Sequence, residues 1–348
     1  MYGVGGIGSQ LVGGWLADRI GRRKAIALSM ISASCLTLVL WRATSLAVIY
    51  PVMALLATAA EAHRPAASAL IADLVPARGR VTAFAMFRLA INIGWAAGLT
   101  LGGLLAERSF SYLFIGDAVT SATFGVISLL ALPHGVRTSP QEHRRLGGAT
   151  RMILADRGLL LFLGSVLVGS AIYMQNVSSF PLHVRSAGHS AAVYGALQAL
   201  NGVFVVLLEV PISSWSQRRS RLSMTAMGGL LVGLAFGSLL VARSVSALVA
   251  MVFVWTLGEI VSSPVISAFV ADRSPDHTRG RFQAALGMVF AFGSILGPGL
   301  GTAVFEANAD ALWIGCGAAG LLSAALALRA GRHPAPLISD LTPPPASG

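Results

Sequence analysis

Long apolar runs separated by polar connections recur along the whole chain. A hydrocarbon core about 30 Å thick takes roughly 20 apolar residues to cross as a helix. Eleven runs have that character: residues 1 to 17, 25 to 41, 46 to 72, 82 to 106, 110 to 132, 159 to 181, 191 to 212, 222 to 242, 245 to 271, 282 to 305 and 311 to 329. Each is predicted as a membrane-spanning helix. The first opens on Gly3, Gly5, Gly6 and Gly8 with no basic segment and no cleavage pattern, so it is not a secretory signal. It reads as a helix that begins in mid-protein.

Basic residues divide unevenly between alternate connections. Nineteen of the 25 lysines and arginines fall on one set, including Arg19, Arg22, Arg23 and Lys24, then Arg78 and Arg80, then Arg218, Arg219 and Arg221. The opposite set holds only Arg42, Arg108, Arg185 and Arg243, while Arg64 and Arg88 lie within spans. Cytoplasmic loops carry the basic excess, so the chain is expected to start outside and end in the cytoplasm. That distribution accounts for the net charge of +11 without a nucleic-acid partner.

Composition agrees: 55% of the 348 residues are hydrophobic and 11% charged, against about 25% charged in soluble domains. The 39 glycines suit helices that pack through small residues. Cys35 and Cys316 both lie in apolar runs and read as packing residues. One lysine against 24 arginines points to a GC-rich bacterial genome, hence a bacterial inner membrane.

The connection 133 to 158 holds Pro133, Pro140, Gly147-Gly148 and the cluster Arg144, Arg145, Arg151. It suits a cytoplasmic linker between an N-terminal bundle (1–132) and a C-terminal bundle (159–330) followed by a tail (331–348). The two halves repeat one another. Ala69 to Asp73, Pro76 and Gly79-Arg80 recur as Ala268 to Asp272, Pro275 and Gly280-Arg281, and Gly98 and Gly102 recur as Gly297 and Gly301. Such repeats mark transporters whose substrate site lies between the halves near the midplane. Matching the halves leaves one helix of the second without a partner before residue 1, so twelve spans are expected, of which eleven are present and the first is lacking.

The segment from Gly13 to Lys24, which reads Gly-Gly-Trp-Leu-Ala-Asp-Arg-Ile-Gly-Arg-Arg-Lys, resembles the signature loop between the second and third helices of the major facilitator superfamily. In physical terms Gly14 allows close helix approach, Gly21 a tight reversal, and Asp18 with Arg19, Arg22 and Arg23 charge-assisted bonds that latch two bundles together. The counterpart from Ser213 to Arg221 keeps basic residues but no aspartate. Further on, Arg64-Pro65 to Pro76, then Arg88, Asn92, Gly94, Gly98, Gly102 and Gly103, are similar to the fourth and fifth helices of the drug:proton antiporter branch, although Leu99 replaces that branch's usual proline. Gly297-Pro298 keeps such an element in the eleventh family helix, and Asn201-Gly202 extends the likeness to the eighth. The resemblance implies an all-α major facilitator fold of two pseudo-symmetric bundles working by alternating access. It also implies that Asp73 meets the arginines after Asp18, and that Arg88, Asn92 and the glycines 94, 98, 102, 103 and 297 with Pro298 form a packing seam on which the bundles rock.

Charges inside spans are costly and mark function by default. Glu61 and Arg64, three residues apart, can meet on one helical face; they are proton-coupling candidates, with a permanent neutralising pair as the alternative. Asp117 and Glu259 are further coupling candidates, Glu259 at nearly the position in its half that Glu61 has in the other. Arg88 can snorkel toward the cytoplasm, and Glu209 beside Pro211 suits a gate or interface as well as coupling. Tyr173, Gln175 and Asn176 are candidate substrate contacts, and Trp41 and Trp313 read as interfacial belt residues. The seven histidines have no partners at metal spacing and no phosphate-cradling loop is present, so neither enzyme nor ATPase, metal nor cofactor is expected. The reading is a secondary transporter exchanging protons for small amphipathic compounds and needing no partner chain. Nutrient symport and a non-transporting truncated membrane protein stand as alternatives.

Overall fold

The computed structural model describes residues 2–133 and 148–333. Most of the predicted linker and tail, 134–147 and 334–348, therefore lie outside the described residues.

Helix α1 (Tyr2–Ile20) stops at Gly21, whose φ of 91° is a left-handed conformation that glycine tolerates at low cost, and the chain turns straight into α2 (Arg22–Arg42). The predicted span 46 to 72 is two helices, α3 (Leu46–Glu61) and α4 (His63–Leu74), broken at Ala62. Pro65 has no N–H to give the Glu61 carbonyl one turn back, and the His63 ring instead bonds the Ala60 carbonyl at 2.7 Å. Gly13 of α1 makes room for this break, because a Cβ there would collide with the Ala62 backbone. After the turn Ala77–Gly79 come α5 (Arg80–Arg108) and α6 (Phe110–Ala131).

A short α7 (Gly148–Ala155) leads to α8 (Arg157–Tyr173), whose first turn is capped by the Asp156 carboxylate accepting from Leu159 N. The predicted span 159 to 181 also breaks: α8 closes in a tight turn, Met174–Asn176, and α9 (Ser179–Ser186) follows with Pro181 in its first turn. Then come α10 (Ala191–Ser216), α11 (Arg221–Gly237), α12 (Val245–Arg273), α13 (Arg279–Ala307) and α14 (Ala309–Ala330). Among the described residues nine helices, counting α3 with α4 as one, are long and apolar enough to cross a membrane. Helices α1 and α5, of 19 and 29 residues, occupy the other two predicted positions.

The helices form two bundles. In the first, α2 packs on α6 and α3; in the second, α11 lies against α12 and α14, and α14 against α8. Small residues set the spacing: a Cβ on Gly233 of α11 would come 2.6 Å from the Cα of Gly320 on α14. The second bundle's core gathers Phe180, Phe236, Leu248, Trp255 and Trp313. Trp313, expected in the interfacial belt, is buried there at 1% exposure. Cys316 joins the same cluster, while Cys35 is exposed.

The bundles meet where α1 and α4 pack on α13, and α5 on α10 and α12. Ala72, Val81 and Phe84 from the first bundle close on Val261, Val265 and Ala268 from the second, making an apolar layer between them. Farther along, α13 leans back on α8 within its own bundle, with Gly297 against Ala171 and Met174. The small residues of α13 thus serve two packings, one across the interface and one inside the second bundle.

Candidate functional site

On one side of the apolar layer lies a cavity of about 420 Å³ walled by both bundles: Arg64 and Ser68 of α4, Phe87, Arg88 and Asn92 of α5, Tyr173 of α8, Glu259 and Ser263 of α12 and Phe290 of α13. The size falls within the roughly 300–1,000 Å³ of small-molecule sites. A Cβ on Gly94 or Gly98 of α5, or on Gly195 or Gly202 of α10, would meet nothing within 4 Å.

Arg88 crosses from the first bundle to two carboxylates of the second. Its Nη1 lies 2.9 Å from Glu209 Oε2 and its Nη2 2.7 Å from Glu259 Oε1. Glu259 also accepts from the Tyr173 hydroxyl at 2.9 Å and from Asn201 Nδ2 at 3.1 Å, and Asn201 in turn donates to Thr256. The Glu209 side chain is fully buried, with Oε1 lacking a hydrogen-bond partner among the described residues. Two carboxylates around one guanidinium leave the cluster one negative charge in excess when all three are ionised. A lone buried charge is expensive, so the cluster favours taking up a cation.

On the other side of the layer, about 12 Å along α5 and 20 Å along α12 at 1.5 Å per residue, two clasps tie the bundles together. In one, Asp73 of α4 is held by Arg22 of its own bundle at 3.2 Å and by Arg279 of the other at 2.5 Å. In the other, Asp272 of α12 is held by Arg221 of its own bundle at 2.6 Å and by Arg80 of the other at 2.5 Å. The two clasps are related by an offset of about 199 residues: Asp73 and Arg22 correspond to Asp272 and Arg221 later in the chain, and Arg80 of the second clasp corresponds to Arg279 of the first. The sequence repeat had set Arg80 against Arg281, because Gly79-Arg80 looks like Gly280-Arg281. The helices show the register instead: Arg80 opens α5 and Arg279 opens α13.

Asp18 adds a third tie of a different kind. Its carboxylate accepts from the backbone N–H groups of Gly280 and Arg281, in the first turn of α13. Those groups have no partner within the helix and carry its positive end. Arg22 reaches the same junction by donating to the Asp276 carbonyl at 2.8 Å. Gly14 lets α1 approach, since a Cβ there would sit 2.5 Å from the Ala284 Cβ.

Other predicted residues are dispersed. Arg19 stacks over the Trp15 ring, and Arg23 reaches the Leu132 carbonyl within its own bundle, so neither joins the clasps. Glu61 pairs with Arg64 at 2.5 Å across the α3–α4 break. Asp117 is exposed on α6 and accepts from Thr37 at 3.0 Å, away from the cavity. Gln175 and Asn176 are buried outside the cavity wall: Gln175 donates to the Ala171 and Gly297 carbonyls, and Asn176 to the Tyr173 carbonyl. Pro298 lies inside α13. Gly102 and Gly103 are in α5, in a stretch whose packing is outside the described residues. Glu209 is the residue whose place the sequence foresaw least. Its place beside Pro211 left a gate, an interface and coupling open, and it faces Arg88 of the adjoining bundle. The signal was available in a carboxylate on the apolar α10.

The sequence profile of the Major Facilitator Superfamily matches residues 1–204 and again 161–346, so each half finds it separately. An uncharacterized MFS-type transporter of Bacillus subtilis, YqjV, is 24% identical over 304 residues, spanning 85% of this chain and 73% of its own. A Na(+), Li(+), K(+)/H(+) antiporter of Planococcus maritimus is 24% identical over 84% of this chain and 77% of its own. The multidrug resistance protein MdtH of Cronobacter sakazakii is 23% identical over 86% of this chain and 75% of its own. Among solved structures, the human organic anion transporter MFSD10 superposes with a TM-score of 0.76 at 20% identity, covering 94% of this chain and 82% of that one.

Proposed function

Since this chain belongs to the Major Facilitator Superfamily, whose members are membrane transporters and not enzymes, we propose that it is a secondary transporter exporting small amphipathic compounds in exchange for protons. The observation that carries this reading is the Arg88 cluster. Two carboxylates compete for one arginine that joins the bundles at the cavity wall. A proton taken up by the pair neutralises the excess charge and frees Arg88 to let go of one partner, so proton loading and bundle movement become one event.

The clasps give the other half of the cycle. With Asp18, Asp73 and Asp272 engaged, the bundles are held together at the basic face, which suits an end state of alternating access open on the opposite face. Following the distribution of basic residues, the shut face is assigned to the cytoplasm, the first residue to the outside and the C-terminus to the inside. The bundles are assigned to 1–132 and 159–330, and the protein acts as a monomer. Relatives named for multidrug resistance and for cation/proton antiport fit proton-linked export. The phenylalanines of the cavity wall favour an organic cargo over a bare metal ion.

Transport into liposomes with an imposed pH gradient tests the reading. Gradient-driven movement of an amphipathic dye is expected, vanishing when a protonophore collapses the gradient. Glu259→Gln is expected to lose the gradient response while keeping dye-for-dye exchange. Dye accumulation that ignores the gradient would refute proton coupling.

A further inference from the structure

The cavity has three charged residues in its wall, Arg64, Arg88 and Glu259. Two of them are occupied with each other. Glu259 takes bonds from Arg88, Tyr173 and Asn201, and Arg88 is divided between Glu259 and Glu209. Several lining hydroxyls are taken up within the protein as well: Ser170 donates to the Leu167 carbonyl, Ser262 to the Gly258 carbonyl, and Ser165 and Ser323 bond one another.

Arg64 differs. Glu61 holds its Nε edge, the side chain is 53% exposed, and among the described residues its two terminal nitrogens make no bond to the protein. It stands ten residues before the end of α4, about 15 Å from that end at 1.5 Å per residue, near mid-membrane. A charge at that depth persists where it faces a cavity or a partner. A guanidinium with one edge taken still offers a planar pair of donors, a shape that matches a carboxylate or sulfonate. Phe84, Phe87 and Phe290 line the same cavity and would cover an apolar body.

We propose that the free edge of Arg64 anchors the acidic head of the cargo, so that the cavity takes amphipathic organic anions. This rests on the transporter reading for the cavity's use, but it assigns a ligand class that the reading leaves open. The Ala62 break sets the local geometry: Pro65 interrupts the helix beside Arg64, and the pair with Glu61 forms across that interruption.

The test is equilibrium binding to purified protein in nanodiscs, with no gradient, using three molecules of one aryl-alkyl skeleton: the carboxylate, its methyl ester and the corresponding primary amine. The carboxylate is expected to bind about tenfold or more tightly than ester or amine, a preference of about 1.4 kcal/mol. Arg64→Gln should erase that preference, and Arg64→Lys, which keeps charge without the fork, should restore part of it. Ester binding by each variant checks that the cavity is formed. Equal or tighter binding of the amine, no binding of the carboxylate at millimolar concentration, or an intact carboxylate preference in Arg64→Gln would each overturn the proposal. The two readings fail separately: anion binding with gradient-independent transport sinks proton coupling alone, and proton-driven transport of the amine in preference to the carboxylate sinks the anion anchor alone.

Discussion

The two clasps are alike in connectivity but unequal in burial, and that inequality predicts unequal roles in keeping the basic face shut. The Asp73 side chain is 1% exposed, with Arg22 at 0% and Arg279 at 6%; Asp272 is 27% exposed, with Arg80 at 12% and Arg221 at 21%. Asp73→Asn leaves two buried guanidiniums facing an amide, and breaking a buried pair this way costs about 3–5 kcal/mol. Asp272→Asn acts where solvent already screens the charges, and about 1 kcal/mol is expected. The difference of about 2–4 kcal/mol is a factor of about 30 to 1,000 in the ratio of shut to open molecules. Spin labels at Lys24 and Arg218, both exposed and on opposite bundles, report that ratio by pulsed distance measurement once Cys35 and Cys316 are replaced. Asp73→Asn should move most of the population to longer distances, while Asp272→Asn leaves most of it in place. Equal shifts in the two variants, or a larger one in Asp272→Asn, would refute the argument from burial.

Gly14→Val should also lengthen the Lys24–Arg218 distance, because its Cβ alone would sit 2.5 Å from the Ala284 Cβ; an unchanged distance would mean that α1 and α13 need not touch. Gln175→Ala removes a buried donor to the Gly297 carbonyl, and thermal unfolding should register a loss of about 1–3 kcal/mol with no change in cargo preference. His183 lies outside the spans on α9, where burial holds its pKa below the usual histidine value, while its bond to the Ala242 carbonyl and nearby Asp310 pull upward and Arg243 downward. The neutral ring is therefore the folded form, so its contribution is intact above pH about 6.5 and is lost as pH falls toward the folded pKa. Melting curves should show that acid-side loss, and His183→Gln, which keeps a donor for Ala242, should flatten it.

The large divisions of the molecule were legible in its sequence because they follow from solvent: a bilayer demands long apolar helices, and basic residues collect on one side. The contact of Asp73 with the arginines after Asp18 came instead from the family resemblance of the Gly13 to Lys24 segment. Breaks within spans were harder to see. Pro65 and Pro181 announce themselves, but whether a proline kinks or ends a helix depends on which neighbour takes the freed carbonyl, and that is a tertiary fact. Pairings between halves were harder still. Asp73 with Arg279, and Arg88 with Glu209, are 206 and 121 residues apart. The offset of 199 could have suggested the second clasp, had Arg80 not been drawn to the wrong arginine by an adjacent glycine. Gln175 and Asn176 illustrate the opposite error: polar side chains at mid-helix suggested cargo, yet they satisfy backbone freed by the turn that ends α8.

The apolar layer of Ala72, Val81, Phe84, Val261, Val265 and Ala268 is also an electrical insulator. A membrane potential falls mainly across whatever separates two aqueous compartments. In the proposed state, with the basic face shut and the cavity open to the opposite side, that separator is a few side chains thick instead of the full bilayer. Each unit charge carried across it exchanges about 2.3 kcal/mol per 100 mV with the potential. The Arg88 cluster and the clasps stand on opposite plates of this thin capacitor, so in the proposed cycle switching faces is voltage-dependent whenever the loaded and unloaded cavities differ in net charge.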